Sequence, residues 1–228
     1  MVTEPVSELT KHDMLYVLNR LPQHVFDMIH EHKLFLAGGF IRAVISGEKP
    51  SDIDLFGEDK GYLKEVAEHF CKGYHGRFFE TDNAYTVFGV GVHPVQFIHR
   101  WMYPFDSDGV KALLNQFDFT IAKSVMWHSD GGWHSLVDDR FYPDLAAKRL
   151  YYTFPDRNED AGGSMLRVIK FIKKGYSIQV DSLASVMARV ISGTHITDEE
   201  EFVICKKVLG LLREIDPLVN GRFNEVEV

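Results

Sequence analysis

Two aspartates separated by one isoleucine, Asp52-Ile53-Asp54, follow about a dozen residues after a glycine pair, Gly38-Gly39. On a strand, positions i and i+2 point to the same face, so the two carboxylates converge while Ile53 turns into the core. Two anions held side by side repel unless a cation lies between them. Mg²⁺ suits that place, because it takes hard oxygen ligands and is commonly bound by one or two carboxylates together with substrate phosphates. One such ion would polarise an α-phosphate and hold departing pyrophosphate, and a second would activate an attacking hydroxyl. The glycine pair lies between the apolar run Leu34-Phe35-Leu36-Ala37 and Phe40-Ile41-Arg42-Ala43-Val44-Ile45. The first run reads as a buried strand and the second as a short helix. With no Cβ at that junction a phosphate can approach the backbone, and the helix N-terminus offers N–H groups to an anion. Arg42, in the first helical turn, supplies a forked donor for the same anion.

Each half of this pattern alone is bland. A Gly-Gly after a strand is usually a turn, and a lone Asp-x-Asp is usually solvated. Their order and spacing together carry the functional reading.

The elements that must hold these residues read as follows. Residues 7–31 are rich in helix formers and break at Leu21-Pro22. Pro50-Ser51 turns the chain into a strand at Asp52–Phe56, and a helix follows over residues 61–71. Strands are expected near residues 76–80, 84–90 and 95–98, then a helix over 110–116. Phe119–Met126 and Trp133–Val137 flank Asp130-Gly131, a hairpin signal. From about residue 140 the pattern is helical: Asp144–Leu150, Gly163–Lys174, Ser182–Ser192 and Asp198–Ile215. Strands followed by helices indicate an α+β fold, a short mixed sheet flanked by helices, then a small helical segment. The change of character near Tyr152–Asn158 divides a head, residues 1–155, from a helical segment, residues 156–228.

Composition narrows the function classes. The chain has 228 residues and a formal net charge of −8, which argues against a broad nonspecific nucleic-acid surface, since Lys and Arg supply the phosphate contribution. No apolar run reaches the roughly 18 residues needed to span a bilayer. Met1-Val2-Thr3-Glu4-Pro5 has neither the basic nor the apolar region of a signal peptide. Only two cysteines, Cys71 and Cys205, are present, so a reducing, cytoplasmic setting is expected. The histidines His93, His99, His128 and His134 read as surface or core residues. Arg167, Lys170, Lys173 and Lys174 read as a solvated helix face, with a phosphate groove as the alternative. Aromatic residues at Phe97, Trp101, Tyr103 and Phe105 read as packing rather than base stacking.

Ala37-Gly38-Gly39-Phe40-Ile41-Arg42 followed by Ser51-Asp52-Ile53-Asp54-Leu55-Phe56 resembles the head of the polymerase β-type nucleotidyltransferases, nearest to the poly(A) polymerase and CCA-adding branch. The resemblance implies that Gly38, Gly39 and Arg42 contact the triphosphate of an NTP. It also implies that Asp52 and Asp54 are catalytic and bind Mg²⁺, two ions in all. Asp118-Phe119-Thr120-Ile121 is similar to a later family segment, with Asp118 as a structural residue or a third catalytic acid. Asp138, Asp144-Leu145 and Lys148 resemble the family's connector, and Met165–Phe171 its first neck helix. The implied reaction moves a nucleoside monophosphate from an NTP to an acceptor hydroxyl, an RNA or tRNA 3′ end first, with a protein hydroxyl as another acceptor. Gln116 and Phe117 stand where the CCA-adding branch has two arginines. Gln96 stands where many members carry a third carboxylate, and Glu159-Asp160 lacks the arginine of the base-reading motif. These departures motivate the alternative, a catalytically inactive nucleotide-binding or regulatory protein on the same fold.

Overall fold

The computed structural model describes residues 6–155 and 161–193, with single positions at 203, 206–208 and 210. The helix expected over Asp198–Ile215 lies, apart from those positions, outside the described residues, as do Cys205 and Glu159-Asp160. Chain contacts separate two units, Met1–Ala146 and Ala147–Val228.

The first unit is an eight-stranded mixed sheet with helices on both faces. It opens with β1 (Val6–Ser7), α1 (Lys11–Arg20) and α2 (Gln23–Glu31). The Thr10 side chain caps α1 by accepting the Asp13 N–H at 3.1 Å, a favourable N-cap arrangement. β2 (Phe35–Ala37), α3 (Gly39–Ile45) and β3 (Ile53–Phe56) follow, then α4 (Lys60–Gly73), capped by Asp59. β4 (Arg77–Glu80), β5 (Ala84–Phe88) and β6 (Val95–Ile98) lead to α5 (Ser107–Leu114). A 3₁₀ turn, Thr120–Ala122, precedes β7 (Ser124–Ser129), β8 (Gly132–Asp138) and α6 (Phe141–Ala146). The strand order is β1-β8-β7-β2-β3-β6-β5-β4. Only β3 and β6 pair in parallel within this sheet, and the other neighbours are antiparallel.

Alternation along the strands sorts the two faces. α4 packs on the face carrying Phe97, whose ring lies 6.2 Å from that of Phe70. α2 covers the same face farther along, through Phe26 on Trp133 and His30 on His128. On the opposite face Val110, Leu113 and Leu114 of α5 pack with Phe35, Ala37, Phe56 and Val125. The β7–β8 hairpin turns at Asp130 (φ 51°) and Gly131 (φ 74°), the left-handed pair of a type I′ turn.

Two expectations shift. The strand expected over Phe119–Met126 begins only at Ser124, because the chain first makes the 3₁₀ turn with Thr120 bonded to Asp144. The helix expected over Asp144–Leu150 is α6, ending at Ala146. Lys148 then takes a positive φ of 47°, which ends helical winding.

In the second unit β9 (Arg149–Leu150) pairs in parallel with β10 (Ser177–Ile178), alongside α7 (Ala161–Ile172) and α8 (Val180–Gly193). The Tyr152 N–H donates to Ser182 Oγ at 3.2 Å, and Arg189 donates to the Tyr152 hydroxyl at 3.1 Å. Of the four basic residues expected on one helix face, Lys170 and Lys173 are exposed while Arg167 and Lys174 are half-buried, and α7 ends at Ile172, before Lys173 and Lys174. No helix of the described residues is long and apolar enough to cross a membrane.

Two histidines in the first unit make its stability depend on pH. Burial holds His24, packed between Phe70 and Tyr74, below its ordinary value of 6.5. Burial, and then the neighbouring His30 and His134, act in the same direction on His128. The unfolded chain therefore binds more protons near pH 6, and stability falls as pH drops through about 6.5. Melting temperature should decline from pH 7.5 to 5.5, and His128→Asn should flatten the slope; an unchanged slope in that variant removes His128 as a source.

Candidate functional site

The site is built where β2 and β3 end and begin. Phe35 pairs with Phe56 and Leu36 with Leu55, which carries the Gly38-Gly39 turn to the side of Asp54. Asp54 faces Gln96 across the parallel β3–β6 pair, and Gln96 faces Thr86 of β5. Ile53 and Leu55 are fully buried, so strand alternation fixes Asp54 on the opposite face. Asp52 precedes the strand by one residue and accepts the Ser51 hydroxyl at 2.8 Å. Both aspartates are half-buried.

Gly38 stands at φ 75° and ψ −123°, and its N–H donates to the Ser124 carbonyl at 2.8 Å. A Cβ there would lie 2.7 Å from the Phe117 ring. Backbone angle and contact both exclude a side chain at this position. Gly39 differs: a Cβ there would meet nothing within 4 Å, so space for a ligand remains beside it. Gly38→Ala should cost about 1–3 kcal/mol through the backbone angle alone, and the clash with Phe117 adds to this. Thermal melts check it, and the companion Gly39→Ala should melt close to the parent.

Arg42 is 6% exposed. Its Nη1 donates to Glu48 Oε2 at 2.7 Å, a charge-assisted bond that closes the end of α3 onto the following loop. Asp118 is 2% exposed, in the connection between α5 and the 3₁₀ turn. It neighbours Phe117, whose ring covers Gly38. The structure thus gathers Asp52, Asp54, Gly38 and Gly39 at one end of the sheet, turns Arg42 toward Glu48, and buries Asp118 next in sequence to Phe117, the residue over Gly38. Among the described residues no three His, Cys, Asp or Glu side chains come together to hold a metal. Asp52 and Asp54 remain a hard-oxygen pair, the donor chemistry that Mg²⁺ accepts when phosphates complete its shell.

Downstream carboxylates act as pins. Asp144 is fully buried, accepting the Thr120 hydroxyl at 2.7 Å and Arg140 Nε at 3.2 Å. Asp138 accepts the Arg140 N–H at 2.8 Å and lies 3.7 Å from Nζ of Lys123, itself 1% exposed. Sequence reasoning missed Glu48, Lys123 and the covering role of Phe117. The one available signal was the opposite charge of Glu48, six positions after Arg42.

Known structures share this architecture. A CCA-adding enzyme in complex with ATP superposes with a TM-score of 0.59 at 17% identity, covering 93% of this chain and 51% of that one. The Thermotoga maritima CCA-adding enzyme complexed with tRNA gives 0.58 at 17%, covering 90% and 50%. A tRNA-processing enzyme with CTP gives 0.53 at 16%, covering 77% and 47%. The fold is that of the polymerase β-type nucleotidyltransferase heads, and the chain spans about half the length of these structures. No curated protein sequence matches. A family model does match, over residues 8–148, nearly coincident with the first compact unit. That span is well over half of the chain, which therefore belongs to the Gabija anti-defense 2 family.

Proposed function

We propose that this protein is a Mg²⁺-dependent nucleotidyltransferase that opposes the defence in its family's name by moving a nucleoside monophosphate from an NTP to the 3′ hydroxyl of an RNA or tRNA. The observation that carries the reading is Asp54 on β3 with Asp52 just before that strand, set beside a side-chain-free turn from β2 into α3. Mg²⁺, when bound, supplies Lewis-acid polarisation of the phosphate oxygens. Asp52 and Asp54 are the residues that would hold it, one ion or two.

The remaining steps fall to the chain itself. Gly38 and Gly39 let the triphosphate lie against the backbone, with space open beside Gly39. Arg42 is the counter-charge; its five donors allow a carboxylate partner and a phosphate at once. Asp118, buried next to Phe117, is the further acid, either structural or the third catalytic carboxylate. The acceptor oxygen bonds to the α-phosphorus as the bond to the β-bridging oxygen breaks. Pyrophosphate leaves with that electron pair, and the hydroxyl proton passes to water.

The test is label transfer from each of four α-labelled NTPs with Mg²⁺, offered tRNA, total RNA and protein components of the Gabija defence. Label on RNA, absent with Asp52→Asn/Asp54→Asn, supports the reading; label on protein alone removes RNA as the acceptor. A second reading rests on Gln96, the neutral side chain facing Asp54. It makes the chain a nucleotide-binding protein without turnover, and NTP binding with no label on any acceptor would favour it.

A further inference from the structure

The first unit contains a cavity of about 320 Å³ on its α1–α3 side, lined chiefly by Tyr16, Arg20, Phe40, Glu48, Pro50 and His93. That volume is within the range small ligands occupy. The lining borders the carboxylate site along three segments. Phe40 directly follows Gly39, and Pro50 stands two positions before Asp52. His93 stands two positions before Val95, which pairs with Ile53.

The chemistry of the walls is specific. Phe40 is 1% exposed and meets the His93 ring edge-on at 6.4 Å. Tyr16 stands at the rim, 36% exposed. Arg20 lies over the Tyr16 ring at 5.2 Å and donates to its hydroxyl at 3.2 Å. No described carboxylate pairs with Arg20, so its charge faces solvent at the rim. Glu48 brings an acceptor to the wall while holding Arg42. Aromatic surfaces, one cation and one hydrogen-bond acceptor match a nucleotide: a π-face, a phosphate and a base edge with an amino group.

We infer that this cavity receives the terminal nucleotide of a nucleic-acid acceptor, its base against Tyr16 and His93, with Phe40 backing His93, and its phosphate at Arg20. The inference rests on the nucleotidyl-transfer reading and assigns the acceptor side of that site. A single cation at the rim also suits the acidic chain, which then grips an end rather than a length of strand. Binding should weaken with salt only as steeply as one released counterion dictates, a log–log slope of about −0.7.

The test is a binding measurement on the full chain without Mg²⁺, so that no turnover occurs. A 5′-fluorescent short oligoribonucleotide is titrated by anisotropy, and ATP is titrated separately, for the parent, Tyr16→Ala and Arg20→Ala. Circular dichroism confirms that both variants fold. The expected result is oligonucleotide binding weakened roughly tenfold by each substitution, with ATP affinity unchanged. Unchanged oligonucleotide affinity in both variants overturns the assignment. Equal weakening of ATP also overturns it, giving the cavity to the incoming nucleotide. A parent that binds no oligonucleotide yet labels a protein sinks the cavity assignment and leaves the transferase standing. Variant-sensitive oligonucleotide binding with no transfer to any acceptor does the reverse.

Discussion

Asp52→Asn and Asp54→Asn should each lower nucleotidyl transfer by roughly a thousandfold, the rate equivalent of the several kcal/mol that a metal ion's charge stabilisation supplies. Asparagine matches aspartate in shape, so Ile53 and Leu55 stay buried and the β3 pairings with β2 and β6 remain. The bond from Ser51 to Asp52 Oδ1 survives, since an amide oxygen also accepts. What disappears is anionic charge. No packing is lost with the charge, so each variant should melt close to the parent temperature. Lost turnover with retained stability is the signature of a site kept for function rather than folding. Initial rates beside a thermal melt give both readouts; full activity in both variants would sink the metal-binding assignment.

The largest effect on stability should come from Lys123→Met. Lys123 is 1% exposed, and its ammonium lies 3.7 Å from Asp138, which is 7% exposed. Methionine fills the stem's volume but removes the charge that faces the buried Asp138 carboxylate. Breaking such a pair costs about 3–5 kcal/mol, a fall in melting temperature on the order of 10 °C for a protein of this size. Adding Asp138→Asn should recover much of the loss, because the amide still accepts the Arg140 N–H without a buried charge. A single variant that melts like the parent would show that the pair contributes nothing.

What could be read from the sequence was what local rules govern. Asp130-Gly131 named its hairpin because only certain residues tolerate two positive φ angles in succession. Leu34 to Phe56 named strand, turn, helix and strand because glycine placement and alternation act within a few residues. The missed features depend on distant segments meeting. Nothing local marks Lys123 as buried; its setting depends on the β7–β8 hairpin returning Asp138, whose N–H bonds the Lys123 carbonyl at 3.2 Å. Phe119–Met126 alternates well enough to resemble one strand, but the Thr120 bond to Asp144 claims its first half for the 3₁₀ turn. Phe117 over Gly38 likewise needs α5 in place before the contact exists.

The sheet order sets a timetable for the growing chain. Strands β2 and β3 are neighbours in both sequence and space, but β2's other edge is completed by β7, where Phe35 meets Trp127 and Ala37 meets Val125. Pairings between segments so far apart close late, after the entropy of a long intervening loop has been overcome. A nascent chain stopped before residue 124 carries both aspartates, but its glycine turn lacks the Ser124 carbonyl that anchors Gly38. The glycine turn is thus anchored only once β7 is in place, and a ribosome-bound fragment ending before it has both aspartates without that anchor.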